Sequence, residues 1–490
     1  MLGSTIKRAD RSSPWRFFLW AVLGFGVLQL LFFGLLVAGV AVPDRPIVEH
    51  LAVDVKNRTY GPSGIADRMG GTADSFTECV VVGTGIGLPT ADPVRKAGLM
   101  PRLSNCALGV KQIKQLDAGQ TVVDSNYFRY WAGYTPLTRP ALALFGMTGL
   151  RVIVGAFLLG AFWFALESVR RALGGLAAAA LVGPLVLSSN LMSTPTSSFS
   201  QALAQGVSLL GVGIVARAAL RSTRWGLAAV ALGAALFCYV DLLTTPAIPW
   251  AFSVAVVTAM TCLRTRRIRP AFLALTGAGI LWPLAFALTW MSRWLFAIPF
   301  AGWSAVLAQV KESILFRTEG DFKGVQHAFG AATTRNVLYW LDHITTARAV
   351  LVIVAVVIVV GVIRAARNGM VPLLAVALVG APAVVVPVWY EALSSHSQIH
   401  IFFVYKSVPA ALGVLAFAAI AGARLRSPAP SHDEDVVDCE ERPRGQTKKE
   451  LNASMTRSWS GPVSSVAHGR ETPRANSDSP TVPPTSGDPA

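Results

Sequence analysis

Residues 17–42 read FFLWAVLGFGVLQLLFFGLLVAGVAV, a run without a single charged side chain. An α-helix needs about 20 apolar residues to cross a bilayer, and this run is longer than that. A signal peptide would have a shorter apolar core and a small-residue cleavage site, and no clean Ala-x-Ala ends the run. We therefore predict an uncleaved membrane anchor, with its N-terminus in the cytoplasm because four basic residues precede it: Lys7, Arg8, Arg11 and Arg16.

The rest of the chain repeats this pattern. Hydrophobic residues make up 53% of the 490 residues and charged residues only 14%, whereas a soluble domain carries about 25% charged residues. The composition excludes an ordinary soluble protein and a disordered chain, and it predicts an all-α polytopic membrane protein with about ten transmembrane helices. The nine further apolar runs are 148–168, 174–191, 199–219, 225–244, 247–263, 271–292, 346–366, 370–390 and 402–423.

The positions of the arginines are consistent with this count. Cytoplasmic loops of membrane proteins are enriched in Lys and Arg, and thirteen arginines fall on the predicted inner side. The predicted outer segment 43–138 is nearly neutral, with ten Lys or Arg against nine Asp or Glu. The net charge of +16 therefore reflects how the spans are oriented in the membrane. We expect no nucleic-acid partner, because the sequence has no basic stripe with interleaved aromatics. The thirteen are Arg170, Arg171, Arg217, Arg221, Arg224, Arg264, Arg266, Arg267, Arg269, Arg364, Arg367, Arg424 and Arg426.

Two long outer segments set the predicted organisation of the chain. A cytoplasmic N-terminus (1–16) and a first transmembrane helix (17–42) precede an extracytoplasmic loop (43–138). A transmembrane bundle (139–423) follows, interrupted by a second extracytoplasmic loop at 293–345. Residues 424–490 are rich in Ser, Pro, Thr and charge, which predicts a disordered cytoplasmic tail. Because the inner loops are short, we expect function to face outward at the membrane surface.

Two of the five cysteines share the first outer loop. Cys79 and Cys106 lie there, while the others fall in or beside spans or in the tail. Disulfides form in oxidising compartments, so a Cys79–Cys106 disulfide is expected, with two buried free thiols as the alternative.

The same loop carries two acids at helical spacing. Asp74 and Glu78 are four residues apart, so a helix would place both carboxylates on one face. There they could hold a divalent cation such as Mg²⁺ or Mn²⁺, or remove a proton from a sugar hydroxyl. The alternative is that Ser75-Phe-Thr-Glu78 forms a capping box and Glu78 merely closes the start of the helix.

Charged residues also lie near predicted span ends. Arg129 and Arg139, in a stretch rich in Tyr and Trp, could hold a lipid phosphate or belong to an interfacial aromatic belt. Asp241 is costly near a membrane and is a functional candidate, although it could instead bond the backbone freed by Pro246. Arg293 could bind substrate or snorkel to the interface.

The last cluster is Ser395-His-Ser-Gln-Ile-His400, followed by Lys406. His396 and His400 are four residues apart and share a helical face. The Glu of a zinc-protease motif is absent between them, so metal-dependent hydrolysis is not expected. Two imidazoles and an ammonium favour a phosphate ligand, with packing histidines as the alternative.

Four short strings carry a resemblance. Asp74-Ser-Phe-Thr-Glu78, Tyr127-Phe-Arg-Tyr-Trp-Ala-Gly-Tyr134, Asp241-Leu-Leu-Thr-Thr-Pro246 and the histidine cluster with Tyr405-Lys406 resemble a group of uncharacterised bacterial multi-spanning proteins. The arrangement of a first span, a large acidic outer loop and many further spans resembles the GT-C superfamily of integral membrane glycosyltransferases. The resemblance covers about residues 15–425. The chain lacks the Asp-Asp pair of the best-known families in its first outer loop.

The resemblance implies a polyprenyl-phosphate-linked sugar donor and transfer, with inversion, to a cell-envelope glycan or lipid. Asp74 or Glu78 would be the base or metal ligand. Five residues would hold the leaving lipid phosphate: Arg129, Arg139, His396, His400 and Lys406. Since the Ala-, Val- and Arg-rich composition is typical of a high-GC bacterium, we expect a multi-pass protein of a bacterial plasma membrane with both termini cytoplasmic.

Two other classes of protein stay open at this point. One is a lipid-linked glycan flippase or transporter, although the halves of the chain show no repeat and its polar clusters lie at span ends. The other is a non-catalytic membrane partner in envelope biosynthesis.

Overall fold

The computed structural model describes residues 14–61, 64–122, 125–320 and 324–424. Most of the predicted cytoplasmic N-terminus and all but the first residue of the predicted tail lie outside these ranges. The described chain is built of helices and one two-stranded sheet. In chain order its elements are α1 (Pro14–Val40), α2 (Asp44–Lys56), α3 (Ser75–Gly83), α4 (Pro93–Leu99), β1 (Pro101–Arg102), α5 (Cys106–Asp117), β2 (Ser125–Asn126), α6 (Thr135–Leu173), α7 (Gly175–Leu187), α8 (Thr194–Ser197), α9 (Phe199–Arg221), α10 (Thr223–Val240), α11 (Ala247–Thr265), α12 (Ile268–Ala301), α13 (Trp303–Thr318), α14 (Ala331–His343), α15 (Ala347–Arg367), α16 (Met370–Gly380), a 3-10 turn (Ala381–Val384), α17 (Val385–Ala392), α18 (Ser394–Ile399), α19 (Ile401–Val404) and α20 (Ser407–Ala423).

Nine helical stretches of the described chain are long and apolar enough to cross a membrane. Each overlaps one of the runs predicted from the sequence, so the protein is an all-α polytopic membrane protein. The nine are Leu19–Val40, Thr135–Leu173, Phe199–Arg221, Thr223–Val240, Ala247–Thr265, Ile268–Ala301, Ala347–Arg367, Met370–Ala392 and Ile401–Ala423.

The remaining predicted run, 174–191, forms the shorter helix α7. Its 13 residues fall below spanning length, yet its two ends contact opposite ends of the bundle. Before α7, the carbonyl of Leu173 accepts a hydrogen bond from Arg424, which follows α20. After α7, the carbonyl of Ser188 accepts one from the Trp340 indole of α14 at 2.8 Å. Helix α7 therefore connects the two ends without having the length of its neighbours.

Two of the observed helices, α6 and α12, extend well beyond the predicted spans. Helix α6 starts at Thr135, but its backbone breaks at Gly146, whose φ of +61° suits glycine. There the Met147 amide donates to the Asp54 carboxylate at 3.0 Å instead of continuing the helix. The part after this break matches the predicted run at 148–168. Helix α12 continues to Ala301, so the second long loop begins with helical residues.

Every second connection between the membrane-spanning helices lies at the same end of the bundle, which we call the loop end. The side-chain amide of Asn190 donates to the Asp67 carboxylate at 3.1 Å. The His396 ring lies 2.9 Å from the carbonyl of Leu243. These bonds join segments far apart in sequence. The loop end comprises the described parts of 41–134, 188–198, 241–246, 302–346 and 393–400.

Burial separates central helices from peripheral ones. The most apolar windows of α11 and of the stretch containing α20 are 83% and 72% buried, whereas those of α1 and α15 are 17% and 22% buried. The exposed side chains of the peripheral helices are large and apolar. In a membrane protein such surfaces face acyl chains, so the central helices form the frame on which the loop end is built.

The first long loop packs as a small folded unit on this frame. A disulfide joins Cys79 of α3 to Cys106 of α5, with Cα atoms 5.2 Å apart, and this is the pairing expected from the sequence. Strands β1 and β2 pair antiparallel, with Pro101 opposite Asn126. The disulfide and the strand pairing hold the first long loop together, and with it α3 over the bundle.

Candidate functional site at the loop end

A cavity of about 370 Å³ opens at the loop end between α3, α13 and α18. We call it the arginine cavity. Residues from the first long loop, the second long loop and the C-terminal cluster line it together, although they are some 300 positions apart in the chain. Its charged and ring-bearing lining residues are Phe76, Arg102, Tyr127, Arg129, Tyr130, Glu312, Phe316, Arg317, His396, His400 and Phe403.

Three guanidinium groups stack on two tyrosine rings in this cavity. Arg102 and Arg129 lie 4.4 and 4.8 Å from the centre of the Tyr127 ring. Arg317 lies 5.5 Å from the centre of the Tyr130 ring and donates a hydrogen bond to its hydroxyl. Such contacts are attractive, because the face of an aromatic ring carries negative charge. They hold the cations in place while leaving N–H groups for another partner.

The charge of the cavity is not balanced by its own walls. Among the residues that the structure describes, Glu312 is the one carboxylate that lines it, against three arginines. The Nε atoms of all three arginines are buried and make no hydrogen bond within the described chain. Buried polar groups are nearly always satisfied, so unpartnered donors in one cavity need an explanation. An anion with several acceptor oxygens, such as a phosphate, would satisfy them.

His396 and His400 line the same cavity, as the sequence predicts. Their rings are 4.8 Å apart, and the Phe403 ring stacks on His400 at 5.2 Å. Burial lowers the pKa of His400 to about 4 and lowers the pKa of His396 well below its ordinary value. Both rings are therefore neutral at pH 7, and they contribute shape and hydrogen bonding rather than positive charge.

Asp74 is buried under the cavity wall and does not line the cavity. It is only 1% exposed. One carboxylate oxygen accepts the Thr77 amide at 2.9 Å, and the other accepts the Gln201 side chain at 2.9 Å. Asp74 is thus the N-cap of α3, so the alternative capping box between Ser75 and Glu78 does not form. Burial raises the pKa of the Asp74 carboxyl.

Glu78 lies on the opposite face of α3. It pairs with Arg151 at 2.5 Å and accepts the Phe199 amide at 2.9 Å. Burial raises its pKa, while Arg151 opposes that shift. Glu78 lines a second cavity, of about 300 Å³, which we call the carboxylate cavity. Its polar lining includes Arg58, Thr59, Asp67, Arg68, Ser75, Glu78, Arg151, Ser193, Thr196 and Ser197.

Helix α3 therefore forms a wall shared by the two cavities. Phe76, Thr77 and Val80 face the arginine cavity. Ser75 and Glu78, on the other side of the helix, face the carboxylate cavity. The structure brings Arg129, His396 and His400 together, but it places the two predicted catalytic acids outside the cavity that holds them.

Three other predicted residues have partners within the fold. Arg139 bonds Asp44 at 2.6 Å and the carbonyls that end α1. Asp241 accepts the Thr244 amide at 2.6 Å and caps the turn before α11. Arg293 is 0% exposed and donates to the carbonyls of Tyr130, Ala97 and Gly98. These contacts position the loops around the site.

Lys406 is the remaining predicted residue. Its side chain is 1% exposed, and its ammonium makes no hydrogen bond within the described chain. It lies within electrostatic reach of Asp74 and Asp67. Lys406 therefore stabilises buried carboxylates and, like Asp74, lines neither cavity.

The described residues contain no group of three His, Cys, Asp or Glu side chains that could hold a metal ion. Asp74 and Glu78 have their oxygens engaged by Thr77, Gln201, Arg151 and Phe199. The structure thus offers no ready-made cation site at the two predicted acids.

Four residues of these two cavities were not singled out from the sequence. Arg102 lies four residues before Cys106, Arg317 and Glu312 lie in the second long loop, and Arg151 lies in a span. An arginine within an apolar run such as that around Arg151 is itself a signal for a buried partner. Arg102 and Arg317 carry no local signal, because only the folded chain brings them to the two tyrosines.

Comparison of the chain with protein-family models, with curated proteins and with solved structures finds no match. The fold and the site therefore define the class of protein by themselves. It is a polytopic α-helical membrane protein with an arginine-rich cavity at one end of its bundle.

Proposed function

We propose that this protein is an integral membrane glycosyltransferase of GT-C-like arrangement, which takes a sugar from a polyprenyl-phosphate donor. The acceptor would be a cell-envelope glycan or lipid on the outer face of a bacterial plasma membrane. The observation that carries the proposal is the arginine cavity, where three guanidinium groups face one carboxylate at the loop end. The arginines on the opposite side of the predicted spans support an extracytoplasmic position for this end.

The proposed reaction needs charge stabilisation at the phosphate. The acceptor oxygen forms a bond to the anomeric carbon, and the bond from that carbon to the phosphate oxygen breaks. The leaving polyprenyl phosphate keeps the electron pair, and the acceptor proton passes to a carboxylate. Preorganised cations aimed at the developing charge are a large source of rate enhancement. Arg102, Arg129 and Arg317 have Nε atoms for this purpose that no described residue of the chain bonds.

The geometry adds a candidate for the base that the sequence analysis did not single out. Asp74 and Glu78 each have both oxygens engaged in hydrogen bonds or an ion pair. Glu312 lines the arginine cavity itself and accepts one hydrogen bond, from Gln309 at 3.3 Å. We therefore propose Glu312, which lines the same cavity as the three arginines, as the proton acceptor.

The test is release of polyprenyl phosphate by purified protein reconstituted in vesicles with a pool of polyprenyl-phosphate sugars. Because Arg129 and Arg317 would stabilise the leaving group, the Arg129→Gln and Arg317→Gln pair should lower the rate by about 10²–10³-fold. Arg348→Gln is the matched control, since Arg348 is exposed and pairs with Asp342 away from the cavity. Glu312→Gln, Glu78→Gln and Asp74→Asn then identify the base.

The outcomes separate the candidate functions. Release that is lost in the cavity variants and kept in the control supports the enzyme. Movement of the intact lipid-linked sugar across the vesicle membrane without release would instead identify a flippase. Neither release nor movement with any donor would leave a non-catalytic membrane partner as the better description.

A further inference from the structure

Helix α13 has an inverted pattern of polarity. Its buried residues are Val306, Ser313 and Arg317, while Trp303, Leu307 and Ile314 are 64%, 54% and 48% exposed. Ser304, Lys311 and Glu312 are exposed on other sides of the helix or at the edge of this apolar set. In a soluble protein the apolar residues of a surface helix face the core. A helix with polar groups inside and apolar groups outside matches a lipid environment.

Three of the exposed apolar residues form a stripe, which the exposed Lys311 borders, whereas Leu315, 42% exposed, lies about 80–120° away around the helix axis. Trp303, Leu307 and Ile314 are spaced four and seven residues apart, which brings them to one side of a helix with 3.6 residues per turn. Ala305 is also exposed, but it lies about 160–200° away around the helix axis. The stripe is therefore a property of one face rather than of the whole helix.

Contacts place α13 against the outer part of α12. Val306 packs in a cluster with Ala297 of α12 and Phe128. Farther along, Arg317 lies 5.6 Å from the ring of Trp290. Because residue 306 is near residue 297 and residue 317 is near residue 290, α13 runs back along α12 towards the membrane. Gly302, with φ of +84°, makes the reversal between the two helices.

The neighbouring surface of α12 is also apolar and exposed. Leu288, Met291 and Leu295 are exposed on this membrane-spanning helix. The stripe of α13 continues that apolar surface beyond the reversal at Gly302. The continuity favours acyl chains over a protein partner as the contact.

We propose that α13 is embedded in the lipid at the loop end, with Trp303, Leu307 and Ile314 against acyl chains. Because Glu312, Phe316 and Arg317 of the same helix line the arginine cavity, α13 has lipid on one side and the cavity on another. The cavity then lies beside the bilayer rather than in bulk water. The lipid contact goes beyond the proposed sugar transfer and does not require it.

The test measures the depth of single cysteine labels on the full-length protein in lipid vesicles. The background variant is Cys439→Ser, since Cys79 and Cys106 form a disulfide and Cys238 and Cys262 are buried. A fluorophore is placed at Leu307→Cys or Ile314→Cys, with Ala305→Cys as the matched control on the same helix. Quenching by spin-labelled lipids is compared with quenching by aqueous iodide.

Labels at 307 and 314 should lie about 5–10 Å below the headgroup level and escape iodide. The label at 305 should be quenched by iodide at least as well as by lipid. A benzoylphenylalanine at 307 provides a second readout, because it should cross-link to lipid. Iodide quenching at 307 and 314 equal to that at 305 would overturn the proposal. Protection from both quenchers would also overturn it, because a protein surface would then cover the stripe.

Discussion

The two cavities on either side of α3 differ in how their charges are satisfied. In the carboxylate cavity, Glu78 is neutralised by Arg151 and held by the Phe199 amide. In the arginine cavity, three guanidinium groups share one carboxylate, and their Nε atoms have no partner within the described chain. The first arrangement neutralises its carboxylate without a ligand and leaves one buried donor, the Nε of Arg151, without a partner within the described chain. The second is incomplete, and so it is the better candidate for binding.

The largest expected difference in stability between the two cavities is found by removing one carboxylate from each. Glu78→Gln leaves the Arg151 guanidinium without its ion-pair partner, which should lower the free energy of unfolding by about 3 kcal/mol. Glu312→Gln removes a charge from an exposed side chain and should change stability by less than about 0.5 kcal/mol. Thermal unfolding of both variants in the same detergent measures the difference.

Equal destabilisation by the two substitutions would contradict the distinction between a satisfied and an unsatisfied cavity. Glu312→Gln should also tighten binding of a phosphate, because it removes the one negative charge from the cavity lining. Weaker binding in this variant would show that the arginines are not the phosphate ligands.

A second prediction concerns the tether that holds α3 between the cavities. The Cys79–Cys106 disulfide closes a loop with a sequence separation of 27. Replacing both residues by Ser should cost about 2–4 kcal/mol, because the unfolded chain regains the freedom that the cross-link removed. Unfolding of the double variant, compared with that of Cys262→Ser, gives the value. A double variant as stable as the control would mean that α3 is held by packing alone.

The pH dependence of stability tests whether His400 is enclosed in the arginine cavity. The pKa of His400 is about 4 in the folded protein against an ordinary value near 6.5. Because the folded state disfavours the protonated ring, stability is fully present above pH 6.5 and falls as the pH drops towards 4. The slope due to this residue is at most about 1.4 kcal/mol per pH unit.

His400→Gln should flatten the stability profile between pH 6.5 and 4. His343→Gln is the control, since His343 is an exposed histidine at the end of α14. A profile that keeps its slope in His400→Gln would show that this ring is accessible to water and not enclosed by the cavity.

The smallest effect is expected at Asp74. Its carboxylate caps α3 through the Thr77 amide, and loss of an N-cap costs about 0.5–2 kcal/mol. Asp74→Ala should therefore destabilise the protein, and Asp74→Ser, which can still accept that amide, should recover part of the loss. If both variants retain sugar transfer, Asp74 is a structural residue. Transfer lost in Asp74→Ser despite restored stability would give the carboxylate a chemical role.

Most of the membrane architecture could be read from the sequence, because apolar runs report directly on the bilayer. The predicted start of the second span at 148 coincides with the break of α6 at Gly146, although the helix itself begins at Thr135. The predicted run at 174–191 is longer than the helix it forms, because α7 stops before Ser188 and Asn190, which belong to the polar loop end. Three polar residues, Ser188-Ser-Asn190, follow the helix directly, and Leu191 and Met192 resume the apolar pattern only after them.

The site was predictable only in part. Arg129, His396 and His400 lie in one cavity, and each belongs to a dense local cluster of aromatic or imidazole side chains. The spacing of Asp74 and Glu78 suggested a shared face, but the N-cap role of Asp74 takes it off the helix. Arg102 and Arg317 could not be found, because their position depends on long-range packing around Tyr127 and Tyr130.

The central claim is that the arginine cavity binds the phosphate of a lipid, and the most direct test is the affinity for polyprenyl phosphate in lipid nanodiscs. The triple variant Arg102→Gln, Arg129→Gln and Arg317→Gln is compared with Arg348→Gln and with the unsubstituted protein. Because charge-assisted hydrogen bonds contribute about 1.5–3 kcal/mol each, the triple variant should bind at least about 100-fold more weakly. The control should bind normally. Equal affinity in all three proteins would contradict the account.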